Sequence, residues 1–409
     1  MAFDPAAATA AYLSALPPEA HAKATAYTQG GHWLLLWGVL IGIAAALIVL
    51  KLGLLRKLQA WLERRKPRPW ITALVLSFVY FLATSLITGP WAAYTDWARE
   101  RAYGLSSQPF AGWAIESLIK VGISSVVAGV LLMLVYWVMR RSARLWPVWA
   151  GVLVAVFILF TQFLAPIFIE PIFNTYREAP PGPVREMVVQ MGEKVGVPTD
   201  KIYISDYSKQ TNRYTANVSG LFGTARVAMS DTMFTKGADL AEVKGVVGHE
   251  MGHYVHKHIL IFVGVFGLMT MIMGFITIWA FPRLQRLLRE ESIAGVADPA
   301  GLPILMIIVS VLGLLAAPVF NTMIRQTEAD ADNFSLANFN EPDGLAKALV
   351  KTIEYRAATP GKLEEILFYD HPSVGWRVRN AMNWKAAHMG EGPDVSPSPS
   401  LSPGPSATP

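Results

Sequence analysis

Six long apolar stretches constrain the fold of this chain more than any other feature. They cover residues 33–55, 71–91, 118–139, 147–169, 259–281 and 302–320. Each has about 20 residues, enough for an α-helix to cross a hydrocarbon core about 30 Å thick. With 53% hydrophobic and only 16% charged residues, the chain is also too apolar for an ordinary soluble domain. The sequence therefore predicts a mainly α-helical, multi-pass integral membrane protein, in the cell membrane if its source is bacterial.

The basic residues indicate contact with lipid rather than with nucleic acid. The net charge is +5, but Lys and Arg gather in short loops at 51–68 and 140–144, beside the apolar stretches. Membrane topology accounts for such loops, so we predict the lipid bilayer, and no nucleic acid, as a partner. The positive-inside rule would make both loops cytoplasmic and put the polar block that follows the fourth stretch on the opposite side.

Two polar blocks, 172–258 and 321–388, are expected to pack together as one small α+β domain. The first contains a helical pattern over 183–197, an alternating strand pattern in "KIYISDYS", and two strands in "RYTANVSGLFGTARVAMSDTM". The predicted organisation is 1–32, a polar or amphipathic segment with a short surface helix within 5–26; 33–171, four membrane helices; 172–258, the first block; 259–320, two membrane helices; 321–388, the second block; and 389–409, a Pro-, Ser- and Gly-rich tail expected to be disordered.

The run "VVGHEMGHYVHKH" at 246–258 has the spacing of a metal site on a helix. Because the chain has no cysteine, catalysis would come from His, Glu, Asp, Ser, Lys or a metal. On a helix that Asp239 can cap, His249 and His253 lie one turn apart and can offer two nitrogens to one metal ion. Glu250, one residue further round, suits a general base for a water on that metal. The pattern can also arise by chance, and a solvated helix end is the alternative.

A third ligand is available after the sixth apolar stretch. In "RQTEADADNFSLANF", Glu328 is the candidate ligand, and Asp332, four residues later on the same helix face, can accept the second N–H of a ligand histidine. Without the two histidines, a solvated acidic face would be the simpler interpretation. His256 and His258 could form hydrogen bonds at the interface or support the ligand residues, but we expect them to be solvated or to lie at the membrane interface.

Three ordered segments resemble the signatures of a known family. "VVGHEMGH", "TEADADNFSLA" and "DHPSVGWR" are similar to successive motifs of the M48 zinc metallopeptidases, in particular their type I CAAX prenyl protease branch, and the likeness extends over about 33–384. It implies a zincin-like protease domain on seven membrane helices that enclose a water-filled chamber. We count six, so the family's first helix has no counterpart here. The likeness also implies a cytosolic protease domain, opposite to the charge rule, and the side stays open.

The resemblance also implies roles for individual residues. His249, His253 and Glu328 would bind one Zn²⁺ per chain, and Glu250 would activate the water. His371 and Arg377 would stabilise the oxyanion or orient the ligands. The peptide substrate would add as a strand beside Asn217 and Val218.

These residues predict a zinc-dependent integral membrane endopeptidase that cleaves membrane-associated substrates, including prenylated CAAX-type ones. One alternative is a membrane quality-control protease with the same site. Another is a non-catalytic metal-binding scaffold or transporter, although the apolar stretches carry few of the charges that a transporter needs. The position of the motif before the fifth stretch predicts that the metal-binding helix continues towards the lipid.

Overall fold

A computed structural model describes residues 3–220 and 225–389 of the chain. The predicted tail beyond 389 and the centre of the predicted hairpin turn lie outside the described residues. The α-helices are α1 Pro5–Ser14, α2 Pro18–Lys51, α3 Leu54–Leu62, α4 Pro69–Ala92, α5 Arg99–Ala102, α6 Phe110–Arg141, α7 Trp146–Leu164, α8 Glu170–Phe173, α9 Pro183–Val195, α10 Asp231–Thr235, α11 Leu240–Val255, α12 His258–Leu287, α13 Leu302–Phe339, α14 Pro342–Lys351, α15 Lys362–Phe368 and α16 Val374–Ala387. The strands are β1 Tyr176–Glu178, β2 Ile202–Ser205, β3 Ala216–Ser219 and β4 Arg226–Ser230.

Six helical segments among the described residues are long and apolar enough to cross a membrane, which confirms the predicted number. They are Pro18–Lys51, Pro69–Ala102, Phe110–Arg141, Trp146–Phe173, His258–Leu287 and Pro299–Phe339. Two of them continue through π-helical turns, Ala93–Ala98 and Ala165–Ile169. The first ends before the predicted residue 55, because Gly53 adopts a left-handed conformation (φ 65°) and turns the chain.

These six helices form a closed ring. Going round it, α2 packs on α4, α4 on α6, α6 on α7, α7 on α12, α12 on α13, and α13 packs back on α2. The ring therefore closes without a seventh helix. Its packed apolar core includes Leu50, Leu76, Tyr136 and Ile304. Leu50 and Tyr136 lie near the C-terminal ends of α2 and α6, and Leu76 and Ile304 lie near the N-terminal ends of α4 and α13, so the ring is filled at the end where these four helix ends meet.

The N-terminal segment differs from its prediction. Instead of one surface helix within 5–26, the chain forms α1 and then begins α2 at Pro18, so the expected boundary at residue 32 falls inside a continuous helix. Proline at the first helical position explains this start, since it needs no intrahelical N–H bond there. Ala24 of α2 is buried with Leu336, Ala346 and Val378. The first turns of α2 are thus part of the core of the second polar block.

The polar blocks share a small mixed sheet and one apolar core. The strand order is β1-β2-β4-β3, with β2 and β4 parallel and the other two pairs antiparallel. The strands β2, β3 and β4 match the sequence prediction, whereas the short β1 was not predicted. Phe339 and Ala348 of the second block are buried with Val247 and Met251 of the first. The two blocks therefore contact each other directly across the protease core.

Helix α11 carries the HExxH run, and its ends are defined by local chemistry. Asp239 caps it, accepting a 2.8 Å hydrogen bond at Oδ1 from the backbone N–H of Glu242. Its buried face presents Val243, Val247 and Met251 at four-residue spacing. The helix ends at Val255, and Lys257 is left-handed (φ 53°) before α12 begins. The prediction that this helix continues towards the lipid is therefore wrong, because the chain turns between two separate helices.

Helix α13 is one continuous element from the membrane ring to the protease core. It spans 38 residues, about 57 Å at 1.5 Å per residue, and so passes through the predicted boundary at residue 320. Its first half packs in the ring core, and its last turns carry Glu328 and Asp332. A single helix thus links the membrane ring to a candidate metal ligand.

Gly245 brings α11 against α14, and replacing it by alanine is expected to weaken the protease core. A Cβ atom there would lie 2.7 Å from the backbone N and 2.8 Å from the Cα of Leu345. Because backbone atoms cannot move aside as a flexible side chain can, we expect Gly245→Ala to cost about 1–3 kcal/mol. The midpoint of thermal unfolding in detergent measures this. Gly264→Ala is the control, since a Cβ there has no neighbour within 4 Å, and equal midpoints for both variants would contradict the prediction.

Candidate metal centre and active site

Three side chains that the sequence analysis selected converge at one point. His249 and His253 project from α11, and Glu328 projects from α13. The two Nε2 atoms are 3.1 Å apart. Glu328 places Oε2 3.3 Å from His249 Nε2 and Oε1 3.3 Å from His253 Nε2. The structure thus brings together all three candidate ligands, each offering one lone pair to the same small volume.

The spacing of these atoms fits a tetrahedral metal ion. Ligand atoms bound at 2.0–2.1 Å in tetrahedral geometry lie about 3.4 Å apart. The two Nε2 atoms are 3.1 Å apart, and each lies 3.3 Å from a different oxygen of Glu328, so the carboxylate faces both imidazoles at nearly this distance. Glu328 Oε2 is buried and has no hydrogen-bond partner among the described residues, an arrangement that is costly unless a cation is present. With three protein ligands, the fourth tetrahedral position is open, as in catalytic sites.

His249 is held by a buried carboxylate and a buried guanidinium. Its Nδ1 lies 2.8 Å from Asp332 Oδ1, the contact predicted for Asp332. Arg377 donates to both oxygens of Asp332, from Nε and from Nη2, at 2.6 Å each. Burial opposes protonation of His249, but the carboxylates of Glu328 and Asp332 raise its pKa to about 10. Nδ1 donates to Asp332, so Nε2 is the nitrogen that a metal ion would bind, in place of the proton that the raised pKa favours there.

His253 is held by another histidine, His258, in the supporting role that its sequence position made the less favoured of two alternatives. His258 Nδ1 lies 2.8 Å from His253 Nδ1, and His258 Nε2 lies 3.0 Å from Asp330 Oδ2. The expectation that His258 is solvated is wrong, because its residue exposure is only 2%. The turn at Lys257 folds the start of α12 back against α11. His256 also contacts Asp330, and its side chain is 38% exposed.

Glu250 lines the cavity in front of the three ligands. The cavity has a volume of about 160 Å³, and Ala216, Glu328 and His371 also line it. Burial raises the pKa of Glu250, against the opposing effect of His249 and His253. No hydrogen bond or ion pair engages its carboxylate among residues 3–220 and 225–389. It is therefore free to accept a proton from a molecule in the cavity.

His371 and Arg377 both lie beside Glu328. His371 Nε2 is 3.3 Å and Arg377 Nη1 3.8 Å from Glu328 Oε2. His371 Nδ1 faces Asp370 Oδ1 at 2.9 Å, so Nδ1 carries a proton and Nε2 donates only when the ring is an imidazolium. Burial lowers the pKa of His371, which favours the neutral ring. The arrangement suits Arg377 better than neutral His371 for facing negative charge.

The predicted substrate strand lies at the edge of the sheet. Asn217 pairs with Ala228 and Val218 with Val227, so β3 has β4 on one side and no strand on the other among the described residues. Ala216 and the preceding Thr215 line the cavity. The Oδ1 atom of Asn217 is buried without a hydrogen-bond partner within the described part of the chain. The free edge of β3 thus leads to the candidate metal ligands.

Other residues of the cavity wall carried no recognisable signal in the sequence. Tyr214, Tyr355 and Arg356 line it, together with Leu345 and Leu349 of α14. None belongs to a motif with fixed spacing. The packing of α14 against α11, and of the turn at Thr352–Tyr355 against α2, brings all of them except Tyr214 to the site.

Two family models match successive parts of the chain. Residues 6–175 match the model described as CAAX prenyl protease N-terminal, five membrane helices, and residues 179–385, more than half of the chain, match the model of peptidase family M48. Four of the six candidate spans lie in the first matched region.

Individual relatives and a solved structure agree with these matches. The chain is 29% identical over 380 residues to the uncharacterized metalloprotease YhfN of Bacillus subtilis (strain 168), covering 90% of this chain and 87% of that protein. It is 25% identical over 316 residues to the CAAX prenyl protease 1 homolog of Dictyostelium discoideum, covering 74% and 71%. The crystal structure of S. mikatae Ste24p matches with a TM-score of 0.71 at 20% identity over 90% of both chains, a likeness of fold.

Proposed function

The chain belongs to peptidase family M48 and is an integral-membrane zinc metallopeptidase, and we propose that it cleaves peptide bonds of membrane-associated polypeptides at the His249–His253–Glu328 centre. The observation that carries this proposal is the convergence of two imidazole nitrogens and the Glu328 carboxylate, at separations of 3.1–3.3 Å, beside the unengaged carboxylate of Glu250. One Zn²⁺ ion would be held by these three residues.

The catalytic proton transfers are assigned to Glu250. When bound, a zinc ion supplies Lewis-acid chemistry, lowering the pKa of a water ligand to about 7 and polarising a carbonyl. Glu250 would take a proton from the attacking water and pass it to the leaving amine, the usual two steps of a general acid–base residue. Its raised pKa supports this assignment, because a base that must later give up the proton works best when its pKa lies near the working pH.

The surrounding residues would orient the ligands and oppose negative charge. Asp332 would fix the Nδ1 proton of His249 and so direct Nε2 to the metal. Arg377, held by two hydrogen bonds to Asp332, would present its positive charge towards the carbonyl oxygen as that atom becomes negative. His371, whose neutral ring is favoured by burial, would border Glu328 and help to position its carboxylate.

The substrate would bind as a strand against the free edge of β3. The substrate backbone would pair with the outward-facing backbone groups of the strand that contains Asn217 and Val218, a mode that accepts many sequences. The buried Oδ1 of Asn217, which lacks a partner among the described residues, would accept one substrate N–H. Relatives named CAAX prenyl protease 1 support prenylated C-terminal peptides as the substrate class, and a prenyl group would hold such peptides at the membrane.

A matched pair of peptides tests this substrate class. The purified chain, loaded with zinc in lipid nanodiscs, is given one C-terminal peptide with a farnesylated cysteine and the same peptide without the farnesyl group. We expect kcat/KM to be at least about tenfold higher for the farnesylated peptide, because each buried CH₂ contributes about 0.8 kcal/mol to membrane binding. Mass spectrometry of the products locates the cleaved bond.

Two further measurements complete the experiment. Removing the metal with a chelator should stop cleavage, and added zinc should restore it. Equal rates for both peptides would rule out prenyl recognition while leaving the peptidase activity standing. Cleavage of an unfolded membrane protein at many positions, with neither peptide cleaved, would replace this proposal by a quality-control function.

A further inference from the structure

A second group of metal-ligand side chains lies next to the candidate catalytic centre. His256 follows the end of α11, His258 begins α12, and Asp330 lies on α13. One nitrogen from each histidine and one oxygen of Asp330 lie within 4.8 Å of one another. Asp330 Oδ2 contacts His256 Nδ1 and lies 3.0 Å from His258 Nε2. The mechanism proposed above uses none of these three atoms.

We propose that His256, His258 and Asp330 form a second, inhibitory site for a divalent cation such as Zn²⁺, an inference that rests on the proposed catalytic site. Two imidazoles and a carboxylate are the donor set that zinc prefers in proteins without cysteine ligands. The side chains of His256 and Asp330 are 38% and 49% exposed, so an ion can reach them from solution. His258 is buried and anchors the group to the protein.

His258 couples the two sites, because it touches His253 as well as Asp330. Its Nδ1 is 2.8 Å from His253 Nδ1, and between two neutral rings one of these nitrogens must donate and the other accept. With the catalytic ion on His253 Nε2, the His253 proton lies on Nδ1 and is donated to His258 Nδ1. The proton of His258 then lies on Nε2, where Asp330 accepts it. Every group in this arrangement has a partner.

A cation at the second site reverses this pattern. To bind it through Nε2, His258 must carry its proton on Nδ1 and donate it to His253 Nδ1. The proton of His253 then moves to Nε2, where it occupies the position of the lone pair that binds the catalytic ion. No proton is gained or lost in this exchange. The two ions therefore oppose each other, and zinc in excess weakens the catalytic centre.

The test compares the zinc-loaded enzyme with its His256→Ala variant. His256 lies outside the catalytic machinery, so the variant should match the parent at one zinc ion per chain. As free Zn²⁺ rises, we expect the parent to bind a second ion and lose activity by a factor within the range of about 5–150 that is typical of coupled sites. His256→Ala should bind one ion and keep its activity. His388→Ala, which removes an imidazole whose hydrogen bond within the described part of the chain is to Trp384 of α16, should behave like the parent.

Zinc binding is also measured on the inactive Glu250→Gln protein, so that the inference can be tested without peptidase activity. The site is supported if this protein binds a second zinc ion and if His256→Ala and Asp330→Asn each abolish binding of that ion. Binding of only one ion by the parent, or a second ion that His256→Ala does not affect, would overturn it. A second ion that leaves cleavage by the parent unchanged would overturn the coupling through His258. If no zinc binds and no peptide is cleaved, the proposed function itself fails.

Discussion

Replacing Glu250 by glutamine is expected to lower kcat for peptide cleavage by about 10²–10⁴-fold, the range that general acid–base catalysis contributes. Zinc should stay bound. Glutamine has nearly the same shape as glutamate but cannot take a proton from water at neutral pH. Glu250 lines the cavity, but it makes none of the short contacts that join His249, His253 and Glu328. The change should therefore remove the base without removing a ligand.

Two measurements on the same preparation separate these effects. Metal content is measured by mass spectrometry, and cleavage is followed on the farnesylated peptide. Glu354→Gln serves as the control, because it also neutralises a glutamate but lies in an exposed pair with Lys236, so both quantities should match the parent. Full activity of Glu250→Gln would refute the assignment of the base, and loss of zinc would make Glu250 a ligand instead.

Features that depend on local spacing could be predicted from the sequence. The six membrane helices follow from the length of apolar runs, which the thickness of a bilayer sets directly. The pairing of His249 with His253 follows from the pitch of a helix, and the cap at Asp239 from the chemistry of one turn. Glu328 and Asp332 share a helix face for the same reason, so their relation to each other was also predictable.

Features that depend on how distant segments pack could not be predicted in this way. His258 was assigned to the solvated interface because nothing in the sequence indicates that Lys257 turns the chain and directs His258 back to His253. The start of α2 was assigned to a surface helix because its burial depends on α13 and α16, more than 300 residues away. Arg356 reaches the cavity through the packing of α14 and of the turn at Thr352–Tyr355, which contacts α2.

Removing the Asp332 carboxylate is expected to destabilise the protease core by about 3–5 kcal/mol, the usual cost of breaking a buried ion pair from one side. Asp332 is fully buried and Arg377 is 6% exposed, so in Asp332→Ala the guanidinium stays buried without its counter-ion. His249 also loses the acceptor for Nδ1, and zinc affinity should fall by about 10–100-fold. Denaturant unfolding in detergent and zinc titration measure the two effects.

A double variant separates the charge from its role at the metal. In Asp332→Ala with Arg377→Met, both members of this buried ion pair are removed, so much of the lost stability should return. Zinc affinity should stay low, because His249 still lacks its acceptor. Glu354→Ala breaks an exposed pair instead and should cost only about 0–1 kcal/mol. If Asp332→Ala lowered the free energy of unfolding by no more than that, the Asp332–Arg377 pair would not be the buried support of His249 that its geometry indicates. The orientation of His249 would then have to come from α11 alone.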